Sequence, residues 1–480
     1  MKMHKIIKYQ YLFLLGFCLF IGGCKIPELV QKDANTATPA QYSSNSNDTA
    51  NSANVQWRRF FTDKYLINLI DTALTNNQEL NITLQEIEIA RNDIRLKKGL
   101  ILPTVGVRGG IGVEKVGRYT SQGAGDASAE ITPGEGVPEL LASFAGGAYA
   151  HWEIDVWKKL RNAKKAAITR YLASVEGKNF VLTNLVAEVA NSYYELLALD
   201  NQLGFVKQNI ALQNDVLEII KVQKEAARAT ELAVQKFEAE VLKSKSLEFD
   251  ILQNIKETEN KINLLLGRYP APIVREKTIF LDLIPSTIKT GIPSQLLANR
   301  PDIKKAELEL AASKIDVTIA RAEFYPSFGI SAALGLQAFK PSYLLKLPES
   351  ILYSLAGDIA GPLINKNGIK AEFYNANARQ LQALYNYERT ILNAYLEVNT
   401  QLSNISNLGK SYDLKFKQVD ALTKSISISN DLFKAARADY MEVLLTQRDA
   451  LQAKFELLDT KKQQMTATVS MYRALGGGWQ

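Results

Sequence analysis

The thiols of this chain belong to Cys18 and Cys24, both near its start. Cys24 ends the run Ile21-Gly22-Gly23-Cys24, which follows a basic start and an apolar core over residues 11–20. A basic start, a short apolar core and small residues before a cut site are typical of a secretory signal. The cysteine at the cut resembles a lipobox, in which the thiol takes a diacylglycerol. We expect 1–23 to be a signal peptide and Cys24 to be lipidated; a plain secretory signal is the alternative.

No Asp follows Cys24, so the common signal for retention in the inner membrane is absent. We therefore expect the mature chain in the outer membrane, anchored by several acyl chains on Cys24 and extending into the periplasm. Residues 25–56 are rich in Asn, Ser, Thr, Ala and Gln and show no apolar period. The segment 24–56 is predicted to be a flexible, lipidated tether.

Few other residues could support catalysis. Without the signal the chain keeps no free thiol and a single histidine, His151. That excludes a disulfide, a cysteine nucleophile and a histidine-based triad or zinc site. Gly476-Gly477-Gly478 follows a predicted helix and lacks the Lys and Ser/Thr of a phosphate-binding loop. We expect no enzyme activity, no catalytic or metal-binding residues, and no cofactor beyond the lipid on Cys24.

The charge balance indicates no nucleic-acid partner. Lys2, Lys5 and Lys8 fall in the predicted signal, and their removal leaves 54 basic and 50 acidic residues. So weak a basic excess over so long a chain is typical of a mixed, solvated surface.

The positions of proline predict two very long helical hairpins. None of the 14 prolines falls in 139–269 or 363–480. Proline in a helix interior removes a hydrogen bond and clashes with the preceding turn, so both tracts have room for unbroken helices. Ala, Leu, Glu, Lys and Gln, all good helix formers, dominate them. The predicted helices are 158–226, returning to Leu266, and 367–435, returning over 440–475.

Four shorter segments alternate apolar and polar residues at period two. In the first, Val105, Val107, Ile111 and Val113 alternate with Gly, Arg and Glu. Strands of about ten residues with one apolar face are what a transmembrane β-barrel requires; a half-buried soluble sheet is the alternative. The predicted strands are 104–114, 147–156, 327–337 and 351–361.

Four strands cannot close a membrane barrel alone. Open sheet edges are not tolerated in lipid, and known barrels have at least about eight strands. If the strands span a membrane, two, three or four copies of the chain would have to share one barrel of eight, twelve or sixteen strands.

The two halves of the chain repeat each other. Residues 76–112 match 299–335, and Ala226-Ala227-Arg228-Ala229 matches Ala435-Ala436-Arg437-Ala438. Several matches in the same order indicate an internal duplication. The predicted organisation is a first repeat over 57–266, a linker over 267–297 and a second repeat over 298–480.

Several motifs in this order resemble those of the TolC-like outer-membrane efflux factors. Arg300-Pro301-Asp302-Ile303 and the later run Ala320-Arg321-Ala322-Glu323-Phe324-Tyr325-Pro326-Ser327 resemble the central signature. Ala438-Asp439-Tyr440-Met441-Glu442-Val443-Leu444 resembles the second hairpin tip, and Tyr472-Arg473-Ala474-Leu475-Gly476-Gly477-Gly478-Trp479 the C-terminal ending. The resemblance covers nearly all of 57–479, and Cys24 makes it one to the lipid-anchored branch.

The resemblance implies an α+β membrane protein that forms a homotrimer. Its strands would share a twelve-stranded transmembrane barrel, its hairpins would form a periplasmic α-helical barrel, and 267–297 would lie at that barrel's equator. The hairpin tips would meet a periplasmic adaptor (membrane fusion) protein and an inner-membrane pump of the resistance-nodulation-division (RND) class. The pump would drive export of small toxic compounds through this passive, gated duct.

By the same resemblance, the two hairpin tips are the candidate gate and adaptor-docking site. The family usually has Gly near each tip, and because Ala stands there in this chain we expect tight helical turns. Glu442 matches a position of acidic gate rings, whereas Leu445 and Ala233 do not, so a partly apolar gate is predicted; a solvated helix charge is the alternative for Glu442. The candidate residues are Ala227, Arg228, Thr230, Glu231, Ala436, Arg437, Asp439, Tyr440 and Glu442.

Two other functions remain compatible with the sequence. The same fold could serve as the outlet of a type I protein-secretion system. A lipid-anchored periplasmic coiled-coil scaffold with a small soluble sheet would lack channel activity altogether.

Overall fold

The computed structural model of the protein describes residues 26–42, 49–276, 280–362, 364, 366–435 and 437–479. The predicted signal peptide, the lipidation site Cys24 and the tip residue Ala436 lie outside the described residues. The chain forms two compact units. The sheet unit comprises the described residues of Met1–Asp33 with Ile89–Tyr171 and Leu308–Leu384; the hairpin unit comprises Ala34–Glu88, Leu172–Glu307 and Tyr385–Gln480.

Seven helices longer than a dozen residues carry most of the described chain. They are α1 Lys64–Asn76, α2 Gln78–Gly99, α3 Lys159–Glu225, α4 Glu231–Leu265, α5 Pro301–Ala322, α6 Asn367–Lys434 and α7 Tyr440–Ala474. Short helices lie at Trp57–Phe60, Ser121–Asp126 and Gln295–Asn299, and 3-10 turns at Ser52–Asn54, Phe280–Asp282 and Pro341–Tyr343. No helix in these described ranges is long and apolar enough to cross a membrane.

The predicted long helices and the duplication are confirmed. Helices α3 and α6 have 67 and 68 residues, α4 and α7 have 35 each, and α2 and α5 have 22 each. At about 1.5 Å per residue, α3 and α6 are each roughly 100 Å long.

The sheet unit contains one four-stranded antiparallel sheet. Its strands, in spatial as well as chain order, are β1 Thr104–Glu114, β2 Leu141–Ile154, β3 Ser327–Ala338 and β4 Ile351–Ala360. Three of the four predicted strands start where expected, but β2 starts six residues before the predicted 147. It does so because it pairs with β1 along that strand's whole length, ending with Glu114 opposite Leu141.

The loop between β1 and β2 contains local structure that composition alone did not predict. Besides the helix Ser121–Asp126, two short strands, Glu130–Thr132 and Glu135–Gly136, form a separate hairpin. Glu135 accepts hydrogen bonds from Lys340 and from Tyr343, the latter over 3.1 Å, so this hairpin is tied to the loop that follows β3.

The core of the hairpin unit packs α1 against α3, α4 and α7. Tyr193, Leu196 and Leu197 of α3 are almost fully buried within it, as is Tyr472 of α7. Tyr193 donates a hydrogen bond of 2.7 Å to Asp63, whose other carboxylate oxygen caps the first turn of α1. Burial, followed by this hydrogen bond, raises the pKa of Tyr193.

The linker after α4 is held by a buried ion cluster. Arg275 is 5% exposed and binds both carboxylate oxygens of Asp200, which is 2% exposed. It also donates to Glu259 over 2.7 Å. Burial alone would lower the pKa of Arg275, but hydrogen bonds to the two carboxylates outweigh it and raise that pKa.

The segment predicted as a flexible tether is partly packed. In the sheet unit, Ile26 and Leu29 contact the cluster of Phe324 and Phe373. In the hairpin unit, Tyr42 is 5% exposed and stacks on Tyr395 at 5.7 Å between ring centroids. The amino-acid composition of the segment did not predict these contacts, because a few apolar side chains are enough to pack an otherwise polar segment against the fold.

Candidate channel site

One face of the sheet is apolar from edge to edge. The register places Val105 opposite Ala150, Ala150 opposite Ala332, and Ala332 opposite Leu355. The adjacent row joins Val107, Ala148, Leu334 and Tyr353 in the same way. Val107 is 87% exposed and Leu355 is 79% exposed. The separate alternations of the four strands thus combine into one apolar surface that the described chain leaves uncovered.

The opposite face of the sheet is polar. Thr104, His151 and Ser331 form one row across it. A neighbouring row joins Glu153, Gly329 and Asp358. A Cβ at Gly329 would lie 2.4 Å from an Asp358 carboxylate oxygen, so glycine makes room for that carboxylate. Water-filled barrels have this arrangement, with the polar face turned inward.

Aromatic side chains mark both ends of the sheet. At one end, Trp152 donates to the carbonyl of Ile101 over 3.0 Å, and Trp157 stacks on Tyr325 at 4.7 Å. At the other end, Phe339 packs edge-on against Tyr343 at 5.3 Å. Aromatic girdles at two heights flank the apolar band of membrane barrels.

The outer strands of the sheet have free edges. Among the described residues, β1 pairs with β2 alone and β4 pairs with β3 alone. A long, apolar, unpaired edge is a template for pairing with another chain.

The first hairpin tip turns through a left-handed alanine. Ala227 has φ +56°. Its N–H bonds to the Lys224 carbonyl over 2.9 Å, and the N–H of Arg228 bonds to the Gln223 carbonyl over 2.8 Å. These two bonds are those of a Schellman motif, which requires a left-handed residue at the position Ala227 occupies. The expected helical turn is therefore wrong here: the hydrogen bonds impose the glycine-type conformation although the residue is alanine.

Two candidate residues start the return helix. Thr230 is the N-cap of α4, and its hydroxyl accepts a hydrogen bond of 3.3 Å from the N–H of Ala233. Glu231 pairs with Lys224 of α3 and accepts a hydrogen bond of 2.9 Å from Gln235. The hydrogen bonds from Lys224 and then Gln235 lower the pKa of the exposed Glu231 carboxyl. Together, the Schellman motif, the cap and this ion pair fix the first tip.

The second tip follows the same plan in its described part. The N–H of Arg437 bonds to the Leu432 carbonyl over 2.8 Å, which is the long Schellman bond found at Arg228. Asp439 is the N-cap of α7 but makes no side-chain cap bond within the described chain. Glu442 is exposed in the first turn of α7.

One hydrophobic cluster brings the two tips together. We call it the tip cluster; its buried members are Val216, Leu217, Ile220, Ala233, Val234, Phe237, Val241, Phe433, Val443 and Leu444. The candidate residue Tyr440 packs on it from the second tip, and Ala229 from the first. Arg228 and Arg437 are both exposed, and neither makes a side-chain ion pair or hydrogen bond within the described ranges. Within the described residues, both guanidinium groups at the tips are therefore without a side-chain partner.

Two contacts at the tips were not predicted. Lys224 was missed as the partner of Glu231, although the two lie seven residues apart across the turn. Lys236 of α4 approaches the Met441 sulfur of α7 to 3.9 Å and so links the hairpins. Neither contact has a sequence signal, because each depends on how two separate helices are packed.

The Arg300-Pro301-Asp302 motif has a structural role. Arg300 binds Asp302 at 2.7 and 3.0 Å, Glu397 at 2.8 Å and the Ala474 carbonyl at 2.7 Å. Burial would lower the pKa of Arg300, but the hydrogen bonds to Asp302 and the two carboxylate charges outweigh it and raise that pKa. The motif ties the start of α5 to α6 and to the end of α7.

No group of His, Cys, Asp and Glu in the described ranges could hold a metal ion. The sheet unit offers one apolar and one polar face, and the hairpin unit, described by itself, offers charged groups at its tips.

Curated relatives match the chain over nearly its whole length. It is 27% identical over 469 residues to the pyoverdine export outer membrane protein OpmQ of Pseudomonas aeruginosa, covering 97% of this chain and 96% of that protein. It is also 27% identical over 475 residues to the cation efflux system protein CusC of Escherichia coli, covering 97% and 99%.

Solved structures share the fold. A crystal structure of CusC matches with a TM-score of 0.81 at 24% identity, covering 94% of this chain and 99% of that one. The open state of the Neisseria gonorrhoeae MtrE outer membrane channel matches with a TM-score of 0.81 at 21% identity, covering 95% and 99%.

The outer membrane efflux protein family matches residues 69–268 and 292–477, which include both hairpins and all four strands. The resemblance drawn from the motifs, the predicted outer-membrane location and the predicted fold of long helical hairpins with four strands are thereby confirmed. This chain belongs to the outer membrane efflux protein family and is an efflux duct of the outer membrane.

Proposed function

We propose that three copies of the chain share one twelve-stranded barrel and form the passive, gated outlet of a tripartite efflux pump. The observation that carries this proposal is the sheet, which has one continuous apolar face and two free edges. An apolar face is favourable against lipid, whereas free edges are not tolerated there, and joining sheets edge to edge into a closed barrel removes the free edges. Three is the number of copies that the family resemblance implies.

The lipid on Cys24 is the second anchor in this proposal. The nearby Ile26 and Leu29 pack on Phe324 and Phe373 beside the sheet. Acyl chains attached two residues before Ile26 would therefore enter the membrane close to the barrel. The lipid is the sole added group in the proposal, and the duct itself performs no enzymatic reaction.

The hairpin tips are the proposed docking site for a periplasmic adaptor, through which an inner-membrane RND pump supplies the energy. The N–H groups of Arg228 and Arg437 make equivalent backbone hydrogen bonds in the two tips, and both exposed side chains could pair with an acidic partner. The names of the relatives, which refer to export of pyoverdine and of cations, favour small compounds as cargo. They also favour a pump outlet over a protein-secretion outlet, which is the second candidate.

A charge reversal at the tips tests the docking. In a strain that lacks the gene, wild-type protein should restore resistance to toxic compounds, whereas R228E/R437E should restore little because the tips would repel an acidic adaptor. Chemical crosslinking of the chain to the adaptor should fall in parallel. The matched control is K243E/K245E, which makes the same charge change at exposed positions of α4 away from the tip.

If R228E/R437E restores resistance and crosslinks as well as the control does, the arginines do not dock the adaptor. If the deletion leaves susceptibility to every compound unchanged while secretion of a protein is lost, the secretion outlet replaces the pump outlet.

A further inference from the structure

One arginine lies in the middle of the polar face of the sheet. The register places Arg108 of β1 opposite Gly147 of β2. The same row continues through Gly335 of β3 to Leu352 of β4. Val107 belongs to the apolar face, and successive side chains of a strand point to opposite faces, so Arg108 lies on the polar one. Its side chain is exposed and has no hydrogen bond or ion pair with any residue that the structure describes.

The other charged side chains of this face lie toward its two ends. Glu114 is three rows from Arg108 in one direction, and Glu153 and Asp358 share a row three rows away in the other. In the strands as described, no further Asp, Glu, Lys or Arg occurs on the polar face between these rows. Alternate residues of a strand are about 6.8 Å apart, so both carboxylate rows are roughly 20 Å from Arg108. Salt screens exposed charges over about 8 Å, so the potential in the middle of the face is set by Arg108.

The positions beside Arg108 have no room for a counter-charge. A Cβ at Gly147 would lie 2.4 Å from the Leu334 carbonyl oxygen, and a Cβ at Gly335 would lie 2.5 Å from the Gly146 carbonyl oxygen. This close approach of backbone atoms requires glycine at both positions, so neither can carry a carboxylate. A groove of about 930 Å³ runs over this part of the sheet, and Arg108, Gly147 and Gly335 are among the residues that line it.

We propose that Arg108 is a specificity-determining residue of the duct, which makes the middle of the barrel lumen positive and favours anionic over cationic solutes. The proposal rests on the proposed function, since closure of a shared barrel would turn the polar face inward and bring the arginines of three copies into one ring. Rings of Arg or Lys select anions in pores, and lumen residues of barrels tune selectivity. A guanidinium binds carboxylates and phosphates through paired hydrogen bonds, so solutes that carry these groups fit it best.

Cysteine modification of the detergent-extracted protein measures the potential beside Arg108 without depending on an open gate. With Cys24 lipidated as expected, a cysteine introduced at Gly110 would be the single free thiol. Gly110 is two residues from Arg108 on the same face, and a Cβ there would meet nothing within 4 Å. The measured quantity is the ratio of its reaction rates with an anionic and a cationic methanethiosulfonate reagent. This ratio should be about fivefold lower in G110C/R108Q than in Gly110→Cys, because one positive charge about 7 Å away is lost.

Two further variants show whether the charge at this position is responsible. G110C/R118Q removes the same charge from an exposed residue of the loop after β1 and should keep the ratio of Gly110→Cys. G110C/R108K keeps the charge and should keep the ratio as well. An unchanged ratio in G110C/R108Q would overturn the proposal, and so would a fall in G110C/R108K as large as that in G110C/R108Q.

Ile111→Cys separates this proposal from the one it rests on. Ile111 lies on the apolar face beside Gly110, so detergent should protect a thiol there from both charged reagents. Reaction of Ile111→Cys as fast as that of Gly110→Cys would contradict the shared barrel, whereas a protected Ile111→Cys with an unchanged ratio in G110C/R108Q would leave the barrel and remove the role of Arg108.

The reversal potential in planar bilayers under a potassium chloride gradient tests selectivity itself. Arg108→Gln should shift the reversal potential toward that of potassium, and Arg118→Gln should not. Equal reversal potentials of Arg108→Gln and the wild type would overturn selection of anions by Arg108.

Discussion

At the scale of single residues, the tips show how hydrogen bonds can override a residue's preference. Ala227 adopts φ +56° because the bonds of Arg228 and Ala227 to the preceding turn demand it. A left-handed conformation costs a non-glycine residue roughly 1–2 kcal/mol. Ala227→Gly should therefore stabilise the tip by about 1 kcal/mol and slow protease cleavage at 226–230.

The neighbouring Ala226 supplies the control for this prediction. Ala226 has no positive φ, and its N–H still bonds to the Val222 carbonyl over 3.2 Å. Ala226→Gly should therefore destabilise the tip and speed protease cleavage, because glycine loses more backbone freedom on folding than alanine does. If both substitutions speed cleavage equally, the left-handed strain at Ala227 is absent.

The residue scale is also where sequence reasoning is weakest. The family resemblance places Ala227 and Ala436 where tip glycines usually stand, but the helical conformation predicted for Ala227 was wrong. Helix propensity predicts a right-handed conformation for alanine, but the two Schellman hydrogen bonds require a left-handed residue at this position. Buried partners such as Asp200 for Arg275 carried no local signal, since 75 residues separate them.

At the scale of elements, sequence patterns predicted the long helices and the strands well. Proline-free tracts located α3 and α6 within a residue or two, because proline exclusion and helix propensity act locally along the chain. Period-two alternation located β1, β3 and β4 for the same reason. The early start of β2 depends on its pairing with β1, and pairing between distant strands cannot be read from one segment.

The orientation of the sheet gives a sharp test at this scale. Leu355 lies near the middle of β4 on the apolar face, and its neighbour Ser354 lies on the polar face. An arginine on the lipid face near the bilayer midplane costs roughly 2–4 kcal/mol. Leu355→Arg should sharply reduce the amount of folded protein in the outer membrane, and Ser354→Arg should be tolerated.

Gel analysis of outer-membrane fractions, with and without boiling, would measure how much folded protein each of the two variants contains. Equal tolerance of the two arginines would mean that the apolar face does not meet lipid. In that case the sheet would be a soluble one, as the scaffold hypothesis requires.

At the scale of the whole molecule, the open sheet makes the single chain incomplete. Its strands lack partners at both edges among the described residues, and its apolar face is uncovered. Counting strands showed that several copies are needed but left their number open, because eight, twelve and sixteen strands all close a barrel. Only the family resemblance selects three, which stays a prediction.

The native mass of the detergent-extracted protein, measured before and after boiling and beside a Cys24→Ala variant, tests the shared barrel most directly. We predict a particle of three chains that falls to the single-chain mass on boiling. We also predict that Cys24→Ala protein stays a trimer in the outer-membrane fraction, because the barrel holds it there without lipid. A single-chain particle that Cys24→Ala alone releases from the membrane would contradict the account.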